Sequence, residues 1–417
     1  MNVWIFQTGE PLQIDDITLR PMRAINLCNA LIKSGHNVIL WSSTFNHLKK
    51  IHRYKKFKII KISEKLELRL IHSPGYKKNI SISRLFDHLV MAYNLKSVLD
   101  KENKAPDVAF IGFPPIESAF IFTKWLNKKK IPSIIDVKDQ WPTFFLNALP
   151  KYIYYIGFFF LIPYFLLAKY SMRNATNLSA IAEDFLDWAL IFSNRIKHKN
   201  DLVAHLTTEK RLFPQNSINK ANDFWKDKID YSIKNRLIFV GTHYPSLDFE
   251  TLINATKILN NEKFKFELII CGKGELTETL IYKSKGIKNI KFPGWVSRPQ
   301  VEALAKISDA TIAPFKNIDA YNKSLPNKVI DSLALSLPII TPLKGEVERL
   351  IVKEKVGLMY KEMSSEDLSV VIKNFYNDQK NIIKLKENAK TIFENKFSFD
   401  KVYSKIVGRL EKIAKKD

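Results

Sequence analysis

Residues 2–41 have the sequence NVWIFQTGEPLQIDDITLRPMRAINLCNALIKSGHNVILW. The apolar run at 2–7 predicts a first strand, and apolar residues at helical spacing over 20–34 predict a helix that ends at Gly35. A second apolar run, Asn37–Trp41, predicts the next strand. Strand, helix and strand in this order make a βαβ unit, which is typical of a parallel sheet.

The same alternation continues along the rest of the chain. In the N-terminal half, further strands are predicted at Lys58–Ile62, Val108–Gly112 and Ser133–Val137. In the C-terminal half, strands are predicted at Arg236–Val240, Phe264–Cys271, Ile290–Phe292, Ala310–Ile312 and Pro338–Ile340. Each half therefore predicts a doubly wound parallel sheet, and such sheets bind ligands at the carboxyl ends of their strands.

A chain of 417 residues is too long for one ordinary hydrophobic core, so two domains are expected. We predict an N-terminal Rossmann-like domain over 1–205 and a polar, irregular connector over 206–235. A C-terminal Rossmann-like domain follows over 236–395, and a helix over 396–417 packs back toward the N-terminal domain. The two domains are expected to face each other across a cleft that holds a ligand.

The composition is that of a globular protein with a strong basic excess. Apolar residues make up 46%, and 66 Lys and Arg against 42 Asp and Glu give a formal charge of +24. The excess favours anionic partners, although an AT-rich genome would also enrich lysine. Basic and aromatic residues are not interleaved in a binding motif, so no nucleic-acid partner is expected. Cys28 and Cys271 lie far apart in apolar runs and predict no disulfide, and the N-terminus resembles no signal peptide, which predicts a cytoplasmic protein.

The stretch Tyr152–Ala168, YIYYIGFFFLIPYFLLA, contains no charged residue and lies between Lys151 and Lys169. It is just shorter than the roughly 20 residues that span a bilayer, and a glycine and a proline interrupt it. Contact with a membrane interface, a buried helix and a transmembrane helix are all compatible with this pattern. We predict membrane contact, because the stretch is apolar and its flanks are basic.

Candidate site residues are densest at Ser324–Ala334, SLPNKVIDSLA, which LPII follows at 337–340. Here a loop is expected to open a helix with Asn327 and Lys328 in its first turn, where free backbone N–H groups favour a phosphate. Asp331 lies about one turn further on, where a carboxylate can accept hydrogen bonds from a ribose diol. The alternative is a Pro-started helix whose Lys and Asp are solvated.

This pattern resembles the donor-site signature of glycosyltransferase family 4, especially a bacterial branch that builds surface polysaccharides and includes fucosamine-type transferases. Matching motifs follow in order over almost the whole chain: GHNV at 35–38, WSS at 41–43 with His47, PGY at 74–76 with Asn79 and Arg84, PP at 114–115, IDVKDQWP at 135–142, FVGT at 239–242, GKGE at 272–275 and FPG at 292–294.

The resemblance implies an α/β protein of the GT-B fold that moves a hexosyl- or N-acetylhexosaminyl-type sugar, with retention, from a UDP-linked donor. The implied acceptor is a polyprenyl-diphosphate-linked saccharide in O-antigen or capsule biosynthesis, presented at the anionic inner face of the cell membrane. No cofactor and no metal are expected, because basic side chains and helix N-termini stabilise the departing diphosphate in such enzymes. The alternative is a catalytically inactive GT-B protein that binds nucleotide sugars or acts as a scaffold.

The expected site residues come from both halves of the chain. Those predicted to bind the donor are Gly9, Gly241, Thr242, Lys273, Asn327, Lys328, Asp331, Gly345 and Glu346. Those predicted to be catalytic are Asp136, Lys138, Asp139 and Lys328. The two aspartates would hold an acceptor hydroxyl at the end of a strand, or else form a salt-bridge cluster with Lys138. At each glycine a plain tight turn is the alternative.

Three departures from the family pattern stand out. The second acid of the family's Glu-x7-Glu motif matches Asp331, whereas the first falls on Lys323. The basic pair that many members carry after the first C-domain strand is replaced by GTHY at 241–244. The N-domain histidine of many members corresponds to Lys138.

Overall fold

The computed structural model describes residues 1–15, 21–79, 81–147, 149–207 and 213–415, and in it the chain forms two compact units. Unit 1 consists of Met1–Thr208 and Phe399–Asp417, and unit 2 consists of Glu209–Ser398. Both units alternate strands and helices around a sheet, which is wholly parallel in unit 2 and parallel except for one edge strand in unit 1. The architecture is the α/β GT-B fold predicted from the sequence.

The strands of unit 1 are β1 (Asn2–Phe6), β2 (Asn37–Ser43), β3 (Phe45–Asn46), β4 (Ile51–His52), β5 (Lys58–Ser63), β6 (Leu66–Ile71), β7 (Val108–Phe113), β8 (Ser133–Val137), β9 (Asn177–Ala180) and β10 (Leu202–Val203). In the described residues β3 pairs with β4, and the other strands form one sheet in the order β10-β9-β8-β7-β1-β2-β6-β5. Its helices are α1 (Arg23–Lys33), α2 (Ile82–Asp100), α3 (Ile116–Lys128), α4 (Thr143–Asn147), α5 (Tyr154–Asn174) and α6 (Glu183–Ser193).

The βαβ unit at the N-terminus forms because β1 is buried on both faces. Val3 lies opposite Val38 of β2 and opposite Val108 of β7, and both pairings are parallel. On one face Trp4 packs against Trp41, with ring centroids 5.1 Å apart. Gly35 follows α1 with φ +89°, a left-handed conformation that glycine adopts without strain.

The predicted strand Lys58–Ile62 exists as β5, but it differs from the prediction in its environment. It pairs antiparallel with β6 at the edge of the sheet, and its side chains are largely exposed. The buried strand of this hairpin is β6, which the sequence interpretation missed. An apolar run that contains lysines, followed closely by a second apolar run, is typical of a hairpin at the edge of a sheet.

Helix α5 contains Tyr154–Ala168 of the charge-free stretch and continues to Asn174, and a short 3-10 helix, Lys151–Ile153, precedes it. It packs against α3 and α6 through one side, yet only Ala168, Ser171 and Met172 are buried. The aromatic side chains near its start face outward, with Phe159 69% and Phe160 71% exposed. Among the described residues, Lys151–Asn174 is the segment long and apolar enough to cross a membrane, judged by length and composition alone. Within unit 1, therefore, this segment is not a buried helix.

The strands of unit 2 are β11 (Arg236–Val240), β12 (Glu267–Cys271), β13 (Ile290–Gly294), β14 (Ala310–Ile312), β15 (Ile339–Thr341) and β16 (Gly357–Met359). Its helices are α7 (Gln215–Lys226), α8 (Phe249–Asn261), α9 (Thr277–Lys283), α10 (Arg298–Lys306), α11 (Asp319–Asn322), α12 (Asn327–Ala334), α13 (Glu346–Glu354), α14 (Ser365–Asn377) and α15 (Gln379–Ile392). The described strands form a wholly parallel sheet in the order β13-β12-β11-β14-β15-β16.

The segment 206–235, predicted to be an irregular connector, contains helix α7. Residues 208–212 of that segment lie outside the described part of the chain. Helix α7 packs against α10 and buries Trp225, whose indole N–H donates to the carbonyl oxygen of Gln300 at 2.8 Å. Polar residues on the outer face of this helix account for the polar composition of the segment.

The last helix, α16 (Phe399–Ala414), belongs to unit 1 although unit 2 precedes it in sequence. It packs beside α1 on one face of the unit 1 sheet, where Tyr403, Ile406 and Leu410 are fully buried. Helices α2, α3, α5 and α6 lie around the other core of this unit. Unit 1 is thus a three-layer structure closed by the C-terminal segment.

Candidate functional site

In unit 2 the predicted donor-binding loops meet at one edge of the sheet. The parallel strands β12, β11, β14 and β15 are neighbours, so the loops that follow them emerge side by side. The loop after β11 contains Gly241 and Thr242, and the loop after β12 contains Lys273. The loop after β15 contains Gly345, which immediately precedes α13. This edge brings together residues that are up to about a hundred positions apart in sequence.

Lys328 reaches this edge from the first turn of α12. Its Nζ donates to the carbonyl oxygen of Val240 at 3.0 Å and lies 4.7 Å from the centre of the Phe239 ring. Burial lowers the pKa of Lys328 to about 8, while the neighbouring Asp331 carboxylate acts in the opposite direction. The side chain is therefore a desolvated cation at the end of β11, and an anionic ligand would restabilise its charge.

Gly241 provides the space that Lys328 occupies. A Cβ at this position would lie 1.5 Å from Lys328 Nζ, and the backbone φ is +149°. Gly272 is constrained in the same way, since a Cβ there would lie 1.9 Å from the carbonyl oxygen of Gly241. These two glycines let the loops after β11 and β12 approach closely. Their role is therefore more than that of a residue in a tight turn, which was the alternative interpretation.

Asp331 and Lys328 line the same cavity, of about 130 Å³, between α10 and α12 over the ends of β11 and β14. Arg298 at the start of α10 lines it as well, and its Nε lies 3.3 Å from a carboxylate oxygen of Glu302. The sequence interpretation missed Arg298, although it lies four residues after the FPG motif. Thr242 and Asn327 are half-buried near the same loops and do not line this cavity.

The remaining donor-site candidates of unit 2 have different surroundings. Lys273 is exposed. Gly345 has φ +71°, and a Cβ there would lie 2.1 Å from the carbonyl oxygen of Asn322, so the loop after β15 packs closely on α11. Glu346 accepts a hydrogen bond from Arg349 one turn along α13 at 2.7 Å.

Unit 1 contains a cavity of about 290 Å³ at the carboxyl ends of its strands, and Gly9, Lys138 and Asp139 line it. Lys138 Nζ forms an ion pair with Glu10 at 2.6 Å, so the position that corresponds to the family's histidine is a paired cation. Burial raises the pKa of Asp139, whose carboxylate accepts a hydrogen bond from the backbone N–H of Gln140 at 2.9 Å. Gly9, Lys138 and Asp139 therefore share one cavity, where a bound ligand would contact them.

Asp136 does not reach this cavity, contrary to the catalytic role predicted for it. Its side chain is fully buried, lies 3.3 Å from the Arg23 guanidinium, and accepts a hydrogen bond from the Ser179 hydroxyl at 2.8 Å. Arg23 is equally buried, and removing either partner would leave an uncompensated charge. Of the two alternatives for these aspartates, Asp136 therefore fits the salt-bridge role, although its partner is Arg23 and not Lys138.

Several polar residues of this cavity were absent from the predicted site. They are Glu10, His47, Tyr76, Arg84, Asp87 and His88. Burial and the nearby Lys50 and Arg84 lower the pKa of His47 to about 4. Burial and Arg84 likewise lower the pKa of His88 to about 3. Both histidines are therefore neutral near pH 7. Three of the six, namely His47, Tyr76 and Arg84, belong to motifs that carried the family resemblance. That resemblance is the signal by which the sequence could have placed them in the site.

The described residues contain no group of three or more His, Cys, Asp or Glu side chains suited to hold a metal ion. Cys28 and Cys271 are both buried and unpaired.

Residues 222–392 match the family glycosyl transferases group 1. Unit 2 contains a glycosyl transferases group 1 domain. The matched residues include β11, α12 and the cavity that Lys328 and Asp331 line.

Solved structures with the same fold extend the comparison beyond the group 1 domain. Sucrose-phosphate synthase from Thermosynechococcus elongatus superposes with a TM-score of 0.68 at 13% identity, over 99% of this chain and 98% of that one. HepE from Anabaena in complex with UDP gives 0.64 at 12% identity over 99% of both chains. WaaG, a glycosyltransferase involved in lipopolysaccharide biosynthesis, gives 0.61 at 13% identity over 98% and 99%. No curated protein sequence matches the chain.

Proposed function

We propose that this protein is a retaining, metal-independent glycosyltransferase that transfers a hexosyl- or N-acetylhexosaminyl-type sugar from a UDP-linked donor. Its acceptor would be a polyprenyl-diphosphate-linked saccharide in O-antigen or capsule biosynthesis. The reaction would take place at the cytoplasmic face of the cell membrane. One observation carries the proposal. Lys328 and Asp331 lie three positions apart on α12 and line the same cavity in the group 1 domain.

The donor would bind with its diphosphate at Lys328 and its ribose at Asp331. Residues i and i+3 of a helix lie on the same side, so one helix can present a cation and a carboxylate to adjacent parts of one nucleotide. HepE has been solved with UDP and with UDP-glucose, which supports a uridine nucleotide as the first donor to test.

The chemical role of Lys328 would be to stabilise the negative charge that develops on the departing diphosphate. A half-buried cation already in place does this without reorganisation at the moment of reaction, and no metal is then needed. Activity is expected to persist in EDTA. Complete loss that magnesium or manganese restores would contradict metal independence.

Two exposed apolar surfaces of unit 1 support an acceptor held at a membrane. One is α5, described above. The other is the outward side of α2, where Ile82 is 86% exposed and Phe86, Leu89 and Tyr93 are also exposed. Helix α3 packs against both α2 and α5, so the two surfaces belong to one helical layer. Removing exposed apolar area of this kind from water stabilises the membrane-bound state by roughly 25 cal/mol per Å².

Substitution of Asp331 tests the donor site directly. Asp331→Ala is expected to weaken UDP binding about tenfold or more and to abolish most transfer, because the ribose diol loses its acceptor. Lys328→Ala is expected to raise the donor KM and to lower kcat, because the leaving diphosphate goes unneutralised. Isothermal calorimetry with UDP measures the first effect. An unchanged affinity in Asp331→Ala would refute this ribose assignment.

One observation favours the alternative of a non-catalytic sugar-nucleotide-binding protein. Lys323, which stands where the family pattern has an acid, forms an ion pair with Asp319 at 3.1 Å. A protein that binds UDP but neither transfers sugar nor hydrolyses UDP-sugars would fit this alternative.

A further inference from the structure

Two cations at one side of the unit 1 cavity are held against aromatic rings. Arg84 lines the cavity itself, whereas Lys50 lies next to His47, which lines it. Lys50 Nζ lies 4.4 Å from the centre of the Tyr76 ring. The Arg84 guanidinium lies 5.4 Å from the same ring and 4.7 Å from that of Trp141. Such contacts fix the position of a cation without neutralising its charge.

Neither cation forms an ion pair with a carboxylate of the described residues. Among the described residues, no carboxylate oxygen lies within 4.0 Å of the Lys50 or the Arg84 charge. Lys50 donates to the side-chain oxygen of Asn79, and Arg84 donates to the Asn79 backbone carbonyl at 2.8 Å. The Nε of Arg84 is buried and has no hydrogen-bond partner. Such a group is stabilised when a ligand supplies the missing acceptor.

His47 adds a neutral donor next to these cations. Its Nδ1 contacts the Tyr76 hydroxyl and lies 3.3 Å from Lys50 Nζ. Because an ammonium group only donates hydrogen bonds, Nδ1 acts as the acceptor, and the proton of the neutral ring is on Nε2. The ring lines the cavity and is therefore available to donate to a bound anion.

The acidic residues of the cavity are already engaged by other donors. Glu10 pairs with Lys138 at 2.6 Å. Asp87 accepts the backbone N–H of Gly75 at 2.6 Å, and Asp139 accepts that of Gln140. Asp87 and Asp139 act electrostatically on Arg84 from across the cavity, but neither forms an ion pair with it. The cluster of Lys50, Arg84 and His47 therefore keeps donors free for a multivalent anion.

We infer that Lys50, Arg84 and His47 form a binding site for a phosphate or diphosphate group, separate from the donor diphosphate site at Lys328. This inference rests on the proposed function in one respect, namely that the phosphate belongs to the sugar acceptor. The cavity of about 290 Å³ that Arg84 and His47 line then holds the saccharide that the phosphate carries. Asp139 and the Lys138–Glu10 pair line the same cavity and would face its hydroxyl groups.

Binding of inorganic pyrophosphate to the full chain tests this site without any transfer reaction. We use the Lys328→Ala background, which removes the predicted donor diphosphate contact, and measure affinity by calorimetry. Adding Arg84→Gln or Lys50→Gln is expected to weaken the remaining binding about tenfold or more, as loss of a charge-assisted contact does. Lys50→Arg should retain most of the affinity. Lys49→Gln, an exposed neighbour, is the matched control and should leave binding unchanged.

The outcomes separate this site from the proposed function. If pyrophosphate does not bind in the Lys328→Ala background, or if Lys50→Gln binds it as well as the background does, the inference is wrong. Because Arg84 packs on Trp141, thermal unfolding of its variant is compared first, and Lys50→Gln alone decides if Arg84→Gln does not fold. If the substitutions reduce flotation with phosphatidylglycerol vesicles but leave pyrophosphate affinity intact, the cations contact lipid headgroups and the acceptor assignment fails. Loss of pyrophosphate binding in a protein that never transfers sugar would support the site while refuting the transferase.

Discussion

At the scale of single residues, the donor site depends on a glycine that makes room for a lysine. Gly241→Ala places a methyl group where Lys328 Nζ lies, so it should displace the ammonium and weaken UDP binding about tenfold. Gly286→Ala is the matched control. Gly286 also has a positive φ, +85°, but nothing lies within 4 Å of its Cβ position. Both variants carry backbone strain of about 1–3 kcal/mol, and calorimetry should show weakened binding only in Gly241→Ala. Equal affinities would mean that Lys328 does not contact the donor.

The pH dependence of donor binding is a second residue-scale consequence. Because burial lowers the pKa of Lys328 to about 8, the free protein loses this charge as the pH rises through 8, and UDP affinity should fall. Lys328→Arg stays protonated and should flatten the profile between pH 7 and 9.5. Calorimetry over this range measures both proteins.

The free energy of unfolding should also depend on the protonation of Lys328, but it should rise with pH where UDP affinity falls. An unfolded lysine holds its proton up to about pH 10.5, so the free protein gains stability between pH 8 and 10.5 as the folded lysine loses its charge. Lys328→Met should lack this gain in denaturant unfolding measured at the two pH values. If wild type and Lys328→Met show the same pH dependence of stability, the lysine is not desolvated.

At the scale of elements, α5 is expected to attach unit 1 to membranes. Replacing Phe158, Phe159 and Phe160 with Ser should abolish flotation with phosphatidylglycerol vesicles and leave UDP affinity unchanged, because Lys328 and Asp331 lie in unit 2. Val352, Val370 and Ile383 are exposed apolar residues of unit 2, and their replacement with Ser is the matched control. Flotation of the α5 variant equal to that of wild type would exclude this surface as the membrane contact.

At the scale of the whole molecule, the C-terminal helix joins the end of the chain to the core of unit 1. Ile406 is fully buried there, so Ile406→Ala should destabilise unit 1 by about 2–5 kcal/mol. Lys405→Ala, at an exposed position of the same helix, should have little effect. Hydrogen exchange distinguishes the two units. Protection should fall in β1 and β7 of the Ile406→Ala protein and remain in β11 and β12. A uniform loss over both sheets would contradict the division into units.

The sequence by itself determined the alternation of strands and helices, because apolar periodicity and helix-ending glycines act over a few residues. It also placed Lys328 and Asp331 correctly relative to each other, since three positions on one helix fix two side chains on one side. The exposure of α5 follows less directly, because an apolar stretch is compatible with burial and with membrane contact alike.

Only the tertiary structure decided which charged side chains reach a cavity. Asp136 and Asp139 are three residues apart, yet the first is enclosed with Arg23 and the second lines the cavity. Both faces of the unit 1 sheet are covered by helices, so side-chain alternation along a strand could not tell which aspartate would be accessible. Lys50 and Arg84 lie 34 positions apart, and Arg298 lies 33 positions before Asp331, so no local pattern joins them. Contacts between distant segments form when the layers pack, and it is packing that brings these charges together.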